Sequence, residues 1–338
     1  MADISIAILG LGRLGTSVGL ALKRYNESSG AKHHFTVTGF TSTPDQGKQA
    51  QQMKALDHFK HQAHEAVAGQ DIVVMAMPYA EVEATYQYIG QDFRPGAVIV
   101  DFSPLKRPSL NWAKEHLSSE VHLIGATPLI NPSRIYDGAD EIARASNDLF
   151  DGGLMLLMPS VTSIPAAIEL GSDFATILGS KAQFIDPDEH DSLMASMESL
   201  PSVLGVAYFY MMMNNRGWSD AQRFSNTAFS MLTHRLFDTH PDDMRDLWMG
   251  TRTDLVRHMD TLIGVLKQMR NSLAESDRDT LESTLGAASE QYEEWYNRRV
   301  KNNWDKEALK APDSNAGGVM NTLFGGFISN RLRDDDDK

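Results

Sequence analysis

Hydrophobic positions follow two rhythms along the chain. Up to about residue 186, short β-type runs alternate with helical patterns: "ISIAILG", "HFTVTGF", "DIVVMAMP", "AVIVDFS", "VHLIGAT", "GLMLLMP" and "AQFIDP". Near-continuous apolar runs of this length fit strands covered on both faces, and their alternation with helices predicts a mostly parallel, doubly wound sheet. From about residue 187 the β-type runs stop. Met244, Leu247, Trp248, Leu255, Met259, Leu262, Ile263 and Leu266 then recur at three- and four-residue intervals, as do Leu281, Leu285, Ala288, Tyr292 and Trp295. That spacing predicts long amphipathic helices. The expected fold is α/β, with a sheet domain over 1–186 and an all-α domain over 187–310. Met211, Met212 and Met213 are expected to fill the helical core. Residues 311–338 read as a glycine-rich loop and a tail ending in the tag-like "DDDDK".

The first strand runs straight into "GLGRLG", which sets Gly10, Gly12 and Gly15 at GxGxxG spacing before a helical pattern. In a dinucleotide fold the first glycine permits a tight turn and the second lets a pyrophosphate approach the backbone. The third allows helix to pack on strand, and the helix N-terminus supplies amide donors. The motif follows a strand, opens a helix and meets a second strand at residues 34–40, so a Rossmann-type cofactor site is expected. Its cofactor-binding residues are Gly10, Leu11, Gly12, Arg13, Leu14 and Gly15, with Thr41, Ser42 and Thr43 after the second strand. Met77, Pro78 and Ser103 follow later strands. An acid at the end of the second strand would favour NAD, but the chain reads Phe40-Thr41-Ser42-Thr43 with no acid before Asp45. Three hydroxyls and Arg13 point to NADP, with NAD as the alternative.

Composition narrows the class. The chain has 338 residues, 42% of them apolar, which suffices for two domains. It has no cysteine, which removes disulfides, thiol catalysis and Cys-based zinc sites. The formal net charge of −14 argues against nucleic-acid binding. No apolar run is long enough for a membrane span and no signal-peptide layout opens the chain, so a cytoplasmic location is expected. The eleven histidines show no metal-ligand spacing, and no metal is expected.

The order "IAILGLGRLGTSVGLALK", "DIVVMAMP", "VIVDFSPLK", "GATPLINPSRIYDGADEIARASNDLFDGGLMLLMP", "DPDEHDSLMASMESLP" resembles the prephenate and arogenate dehydrogenases of tyrosine biosynthesis. The resemblance covers most of residues 4–210. It implies a Rossmann domain followed by a helical dimerisation domain, with substrate and nicotinamide meeting between them and hydride transfer coupled to loss of carbon dioxide. The substrate motifs depart from the family. Its GxHPM histidine, which assists deprotonation, is replaced by Thr127 in Gly125-Ala126-Thr127-Pro128-Leu129. Its DxGSxK serine is replaced by Pro104, with Ser103 and Lys106 retained nearby. A carboxylate-gripping arginine falls at Ser230, where His234 and Arg235 are possible substitutes. SHLPH becomes Glu198-Ser199-Leu200-Pro201-Ser202.

A threonine cannot serve alone as a general base at neutral pH. The expected function is therefore an NAD(P)-dependent dehydrogenase or reductase of this type acting on a different small carbonyl, imine or alcohol. The alternative is a non-catalytic dinucleotide-binding sensor or structural protein of the same fold. Candidate catalytic residues are Lys106, Thr127 and Glu198; candidate substrate-binding residues are Asn131, Arg134, Tyr136 and Ser202. His190-Asp191 matches a family pair and is expected to bond backbone between the domains. The helical domain is expected to form a homodimer.

Overall fold

The computed structural model describes residues 2–137 and 141–301. The first half alternates as β1 (Ala2–Leu9), α1 (Arg13–Glu27), β2 (His33–Phe40), α2 (Pro44–Gln52), β3 (His58–Phe59), α3 (Ala63–Val67), β4 (Ile72–Met75), α4 (Tyr79–Ile89), β5 (Val98–Asp101), α5 (Lys106–His116), β6 (His122–Leu129), β7 (Leu154–Pro159), α6 (Pro165–Ile177) and β8 (Lys181–Phe184). The sheet order is β3-β2-β1-β4-β5-β6-β7-β8. Pairing is parallel except where β7 runs antiparallel to β6, with Leu156 opposite Thr127.

Both faces of the sheet are covered, as the apolar runs require. Every residue of β4 and β5 is buried. On β1, Ile6 and Ile8 join Val18, Leu22, Val74 and Phe174 on one face, while Ala7 and Leu9 join Val73, Val82, Tyr86 and Ile99 on the other. This is the period-two alternation of strand side chains. The strand absent from the sequence reading is β3, whose two residues are too short to show a pattern.

The helical half continues with α7 (Pro187–Met194), a π-helical turn at Ala195–Ser199, and α8 (Leu200–Met213). Next come α9 (Trp218–Ala221), α10 (Thr227–Thr233), α11 (Arg235–Asp238), α12 (Pro241–Gly250), α13 (Arg252–Glu275) and α14 (Arg278–Lys301). Leu200 N–H donates to the Ala195 carbonyl, five residues back. The widened turn precedes Pro201, which lacks an N–H and would crowd a carbonyl of a regular helix. The expected division at 186/187 falls between β8 and α7. By compactness, the unit Met1–Val256 holds the sheet together with α7 to α12.

The second unit contains most of α13 and then α14, joined by a turn with Ser276 at φ 58°. Met244 and Leu255 are buried as expected. Met211 and Met213, by contrast, are exposed, as are Ile263, Leu266, Leu285, Tyr292 and Trp295. The core-filling reading of Met211 and Met213 is thus corrected: a 3.6-residue period identifies an apolar face without saying what covers it. No described helix is long and apolar enough to cross a membrane. The expected loop and tail at 311–338 lie outside the described residues.

Candidate active site

The glycine turn sits where the chain leaves β1, at the carboxyl edge of the sheet and beside the crossover to β4. Gly10 has φ +96°, and a Cβ there would stand 2.3 Å from the Ala76 carbonyl oxygen. A Cβ on Gly15 would meet the Gly10 oxygen at 1.9 Å. Around Gly12 there is open space. The turn is thus closed by its first and third glycines and left open at its second, which fits the cradle a pyrophosphate requires. Helix α1 starts at this point with no acidic residue in its first turn, so its amide end presents an unopposed positive dipole.

A cleft of about 460 Å³ opens over the turn. Gly10, Gly12, Arg13, Leu14, Thr41, Ser42, Thr43, Met77 and Pro78 all line it, whereas Leu11, Gly15 and Ser103 do not. Leu11 belongs to the core, and Ser103 is buried beneath the cleft wall between Phe102 and Pro104. The Ser103 Oγ has no hydrogen-bond partner. Two observations weaken the NADP expectation. The Arg13 guanidinium is buried and bonded to Asp137 at 3.1 Å. Glu81, in the first turn of α4, lines the same cleft and accepts a hydrogen bond from Ser42 Oγ at 3.4 Å.

The helical half closes the other side of the cleft with Met194, Glu198, Ser202, Arg235, Asp238 and residues of α12. Glu198 lies in the π-helical turn and is ion-paired with Arg235. Ser202, one turn on, donates to the Ser199 carbonyl at 2.7 Å and accepts from Trp248 Nε1 at 2.8 Å. Asp243 of α12 accepts from Ala80 N–H at 2.8 Å, capping α4 from across the cleft. Glu81, Asp238 and Asp243 escaped the sequence reading. The glutamate and the α12 residues reach the cleft only through long-range packing, which leaves no local pattern.

Lys106 does not reach the cleft. Its ammonium is fully buried and donates to the carbonyls of Asp101 at 3.0 Å, Ala126 at 2.8 Å and Ser103. Burial lowers its pKa to about 8, against the upward pull of Asp101 and Asp191. The same Asp101 accepts from Tyr86 Oη at 2.7 Å, from Ser109 Oγ and from Ser103 N–H at 2.7 Å. Tyr86 is held well above the ordinary tyrosine range, first by burial and then by this carboxylate. The lysine therefore ties the ends of β5 and β6 together under the site.

Thr127 stands half-buried at the carboxyl end of β6, beside the cleft rather than in its lining, with its Oγ1 2.8 Å from His190 Nε2. Asp191 accepts from the backbone N–H groups of Lys106 at 2.8 Å and Arg107 at 2.9 Å. The structure does not bring Asn131, Arg134 and Tyr136 into the cleft. Asn131 caps the turn at Pro132–Arg134 and bonds the Asp148 carbonyl at 3.1 Å. Arg134 grips both oxygens of Asp148, at 2.8 and 2.9 Å. Tyr136 is exposed. The sequence shows an arginine after a strand, but not the carboxylate that occupies it.

A doubly wound sheet, a glycine turn at its switch point and a polar helical wall define an enzyme of the dinucleotide-dependent oxidoreductase class. Comparison with known proteins narrows this. Residues 18–183 match the prephenate dehydrogenase nucleotide-binding domain and residues 186–287 its dimerization domain. The chain belongs to the prephenate dehydrogenase family, and it is an NAD(P)-dependent dehydrogenase of that type. It is 22% identical over 278 residues to a cyclohexadienyl dehydrogenase from Zymomonas mobilis, covering 82% of this chain and 90% of the relative. Among solved structures, it shares its fold with A. aeolicus prephenate dehydrogenase in complex with hydroxyphenyl propionate and NAD+. There the TM-score is 0.71 at 15% identity, over 87% of this chain and 99% of the other. Synechocystis arogenate dehydrogenase gives a TM-score of 0.62 at 18% identity, over 86% and 100% of the respective chains.

Proposed function

We propose that this enzyme oxidises or reduces a small alcohol, carbonyl or imine other than prephenate. The observation that carries this reading is the Glu198–Arg235 ion pair inside the cleft. Arg13 and Arg235 are the arginines lining the cleft, and each is engaged by a carboxylate, Asp137 for the first and Glu198 for the second. A substrate with two carboxylates would have to displace one of these partners, while Asp238 and Asp243 add negative charge to the same wall. In this reading Glu198, Ser202 and Arg235 bind the substrate and Thr127 bonds its reacting oxygen or nitrogen. Lys106 positions the loop beneath it. A bound nicotinamide supplies the acceptor or donor of hydride. Family membership favours this catalytic reading over a non-catalytic binder.

For the cofactor, Glu81 supports NAD over NADP. A carboxylate within hydrogen-bond reach of Ser42 accepts from a ribose 2′-hydroxyl and repels a 2′-phosphate, which the committed Arg13 is poorly placed to offset. A homodimer built through the helical domain accounts for the exposed Met211, Met213, Phe237 and Met249. A cytoplasmic location completes the reading.

The test is reduced-nicotinamide absorbance with NAD and, separately, NADP. Each is presented with prephenate, with arogenate and with a panel of small alcohols, and their reduced forms with carbonyls and imines. NAD-linked turnover of a panel member, with prephenate inert, is the expected result. Brisk turnover of prephenate contradicts the reading.

A further inference from the structure

Behind Thr127 lies a chain of hydrogen bonds running into the helical half. Thr127 Oγ1 is 2.8 Å from His190 Nε2, and His190 Nδ1 is 2.8 Å from Asp191 Oδ1. His190 is 1% exposed. Both Asp191 oxygens also accept backbone N–H groups, from Lys106 at 2.8 Å and Arg107 at 2.9 Å, at the start of α5. Two backbone amides at the start of an eleven-residue helix already donate to this carboxylate, which therefore serves its neighbours as an acceptor. An ionised carboxylate can only accept, so His190 Nδ1 carries the proton facing it. In neutral imidazole the opposite nitrogen, Nε2, then has a lone pair aimed at Thr127, whose hydroxyl must donate. The threonine oxygen keeps its own lone pairs for a further donor.

The chain of bonds ends beside the cleft. β6 pairs with β5, and Phe102 and Pro104, just after β5, line the cleft. His190 lies one helical turn before Met194, on the same helix face, and Met194 lines the cleft too. We infer that Thr127, His190 and Asp191 form a proton relay, with the base set one residue back from the group that touches substrate. In the oxidative direction the substrate O–H or N–H proton passes to Thr127 Oγ1 as the Thr127 proton passes to His190 Nε2. The substrate C–H hydrogen leaves as hydride and the C=O or C=N bond forms. The nicotinamide is the two-electron oxidant. Asp191 stabilises the resulting imidazolium, and the reverse sequence protonates a carbonyl or imine as it is reduced. Thr127 is the catalytic group here; His190 and Asp191 act through it.

The relay rests on the oxidoreductase reading, so its test has one arm that needs no substrate. Nitrogen NMR of histidine-labelled enzyme saturated with NAD, with the His190 signals assigned from His190→Asn, reports the tautomer. The expected result is a protonated Nδ1, a bare Nε2, and a shift of Nε2 in Thr127→Val. A proton on Nε2 in the neutral ring overturns the relay whether or not any substrate is found. The second arm uses whichever panel member turns over with NAD in the absorbance assay. Thr127→Val and His190→Asn should each lower kcat by about 10²- to 10⁴-fold, with NADH affinity measured by fluorescence unchanged. Thr127→Ser, which keeps a hydroxyl, should recover most of that loss. Full kcat in His190→Asn overturns the relay and leaves the oxidoreductase reading intact. An inert panel fails that reading alone, because the tautomer still decides the relay.

Discussion

Glu81 and Lys106 show how a partner changes what a charged side chain does. At Glu81, the carboxylate beside Ser42 sets the cofactor preference in this account. Glu81→Gln removes the repulsion toward a 2′-phosphate, and NADPH affinity should rise about tenfold, or about 1.4 kcal/mol. NADH affinity should fall by a smaller factor. Fluorescence titration of both reduced cofactors checks this, and unchanged NADPH binding would remove Glu81 from the role. Lys106 makes a pH prediction. Its folded pKa of about 8 lies below the ordinary 10.5, so the unfolded chain holds this proton more tightly. Below about pH 8 the folded state bears the full cost of an enclosed ammonium. As pH climbs from 8 toward 10.5 the folded lysine deprotonates first and that cost is relieved. Relative to Lys106→Met, the wild-type enzyme should gain about 2 kcal/mol between roughly pH 7.5 and 9.5 in urea unfolding. Above about pH 10.5 the difference levels off as the unfolded lysine deprotonates too, while both proteins lose stability because Tyr86 and Tyr79, raised by burial, ionise first in the unfolded chain. A flat difference across the window would mean that Lys106 is not held as described.

At the scale of elements, legibility depended on whether the signal was local. The seven β-type runs correspond to β1, β2 and β4 to β8. The central β4 and β5 are apolar throughout because both their faces are buried, whereas the edge strand β8 is largely exposed and was legible from its place in the alternation. The glycine turn was legible because its signal is local: Gly10 and Gly15 answer to backbone only a few residues away or on the adjacent strand. Glu198 and Ser202 were legible because they share a short helical stretch with the family motif. What the sequence hid was pairing at a distance. Arg134 looks like an anion anchor until Asp148 is placed against it, and Lys106 looks reachable until Ala126 closes over it. Asp243 is a further case, since its partner Ala80 is 163 residues away. The cap predicts that Asp243→Ala costs about 1 kcal/mol in denaturant unfolding and weakens cofactor binding by loosening α4. Unchanged stability would mean that α4 is held without it.

At the scale of the whole molecule, the helical half leaves too much apolar surface open for an isolated chain. Met211 and Met213 on α8 and Phe237 on α11 stand exposed in the first unit, as do Leu285 and Tyr292 in the second. Light scattering should give a dimer at micromolar concentration, and Met211→Asp with Met213→Asp should shift it toward monomer; a wild-type monomer would contradict the assembly. The nucleotide half of the prephenate dehydrogenase fold is retained, and the substrate wall proposed above for a different small molecule is what remains to be tested. The most direct test is the absorbance assay with purified enzyme, NAD and prephenate beside the small-molecule panel. The account predicts bound NAD, silence with prephenate and turnover of a panel member; rapid oxidation of prephenate would contradict it.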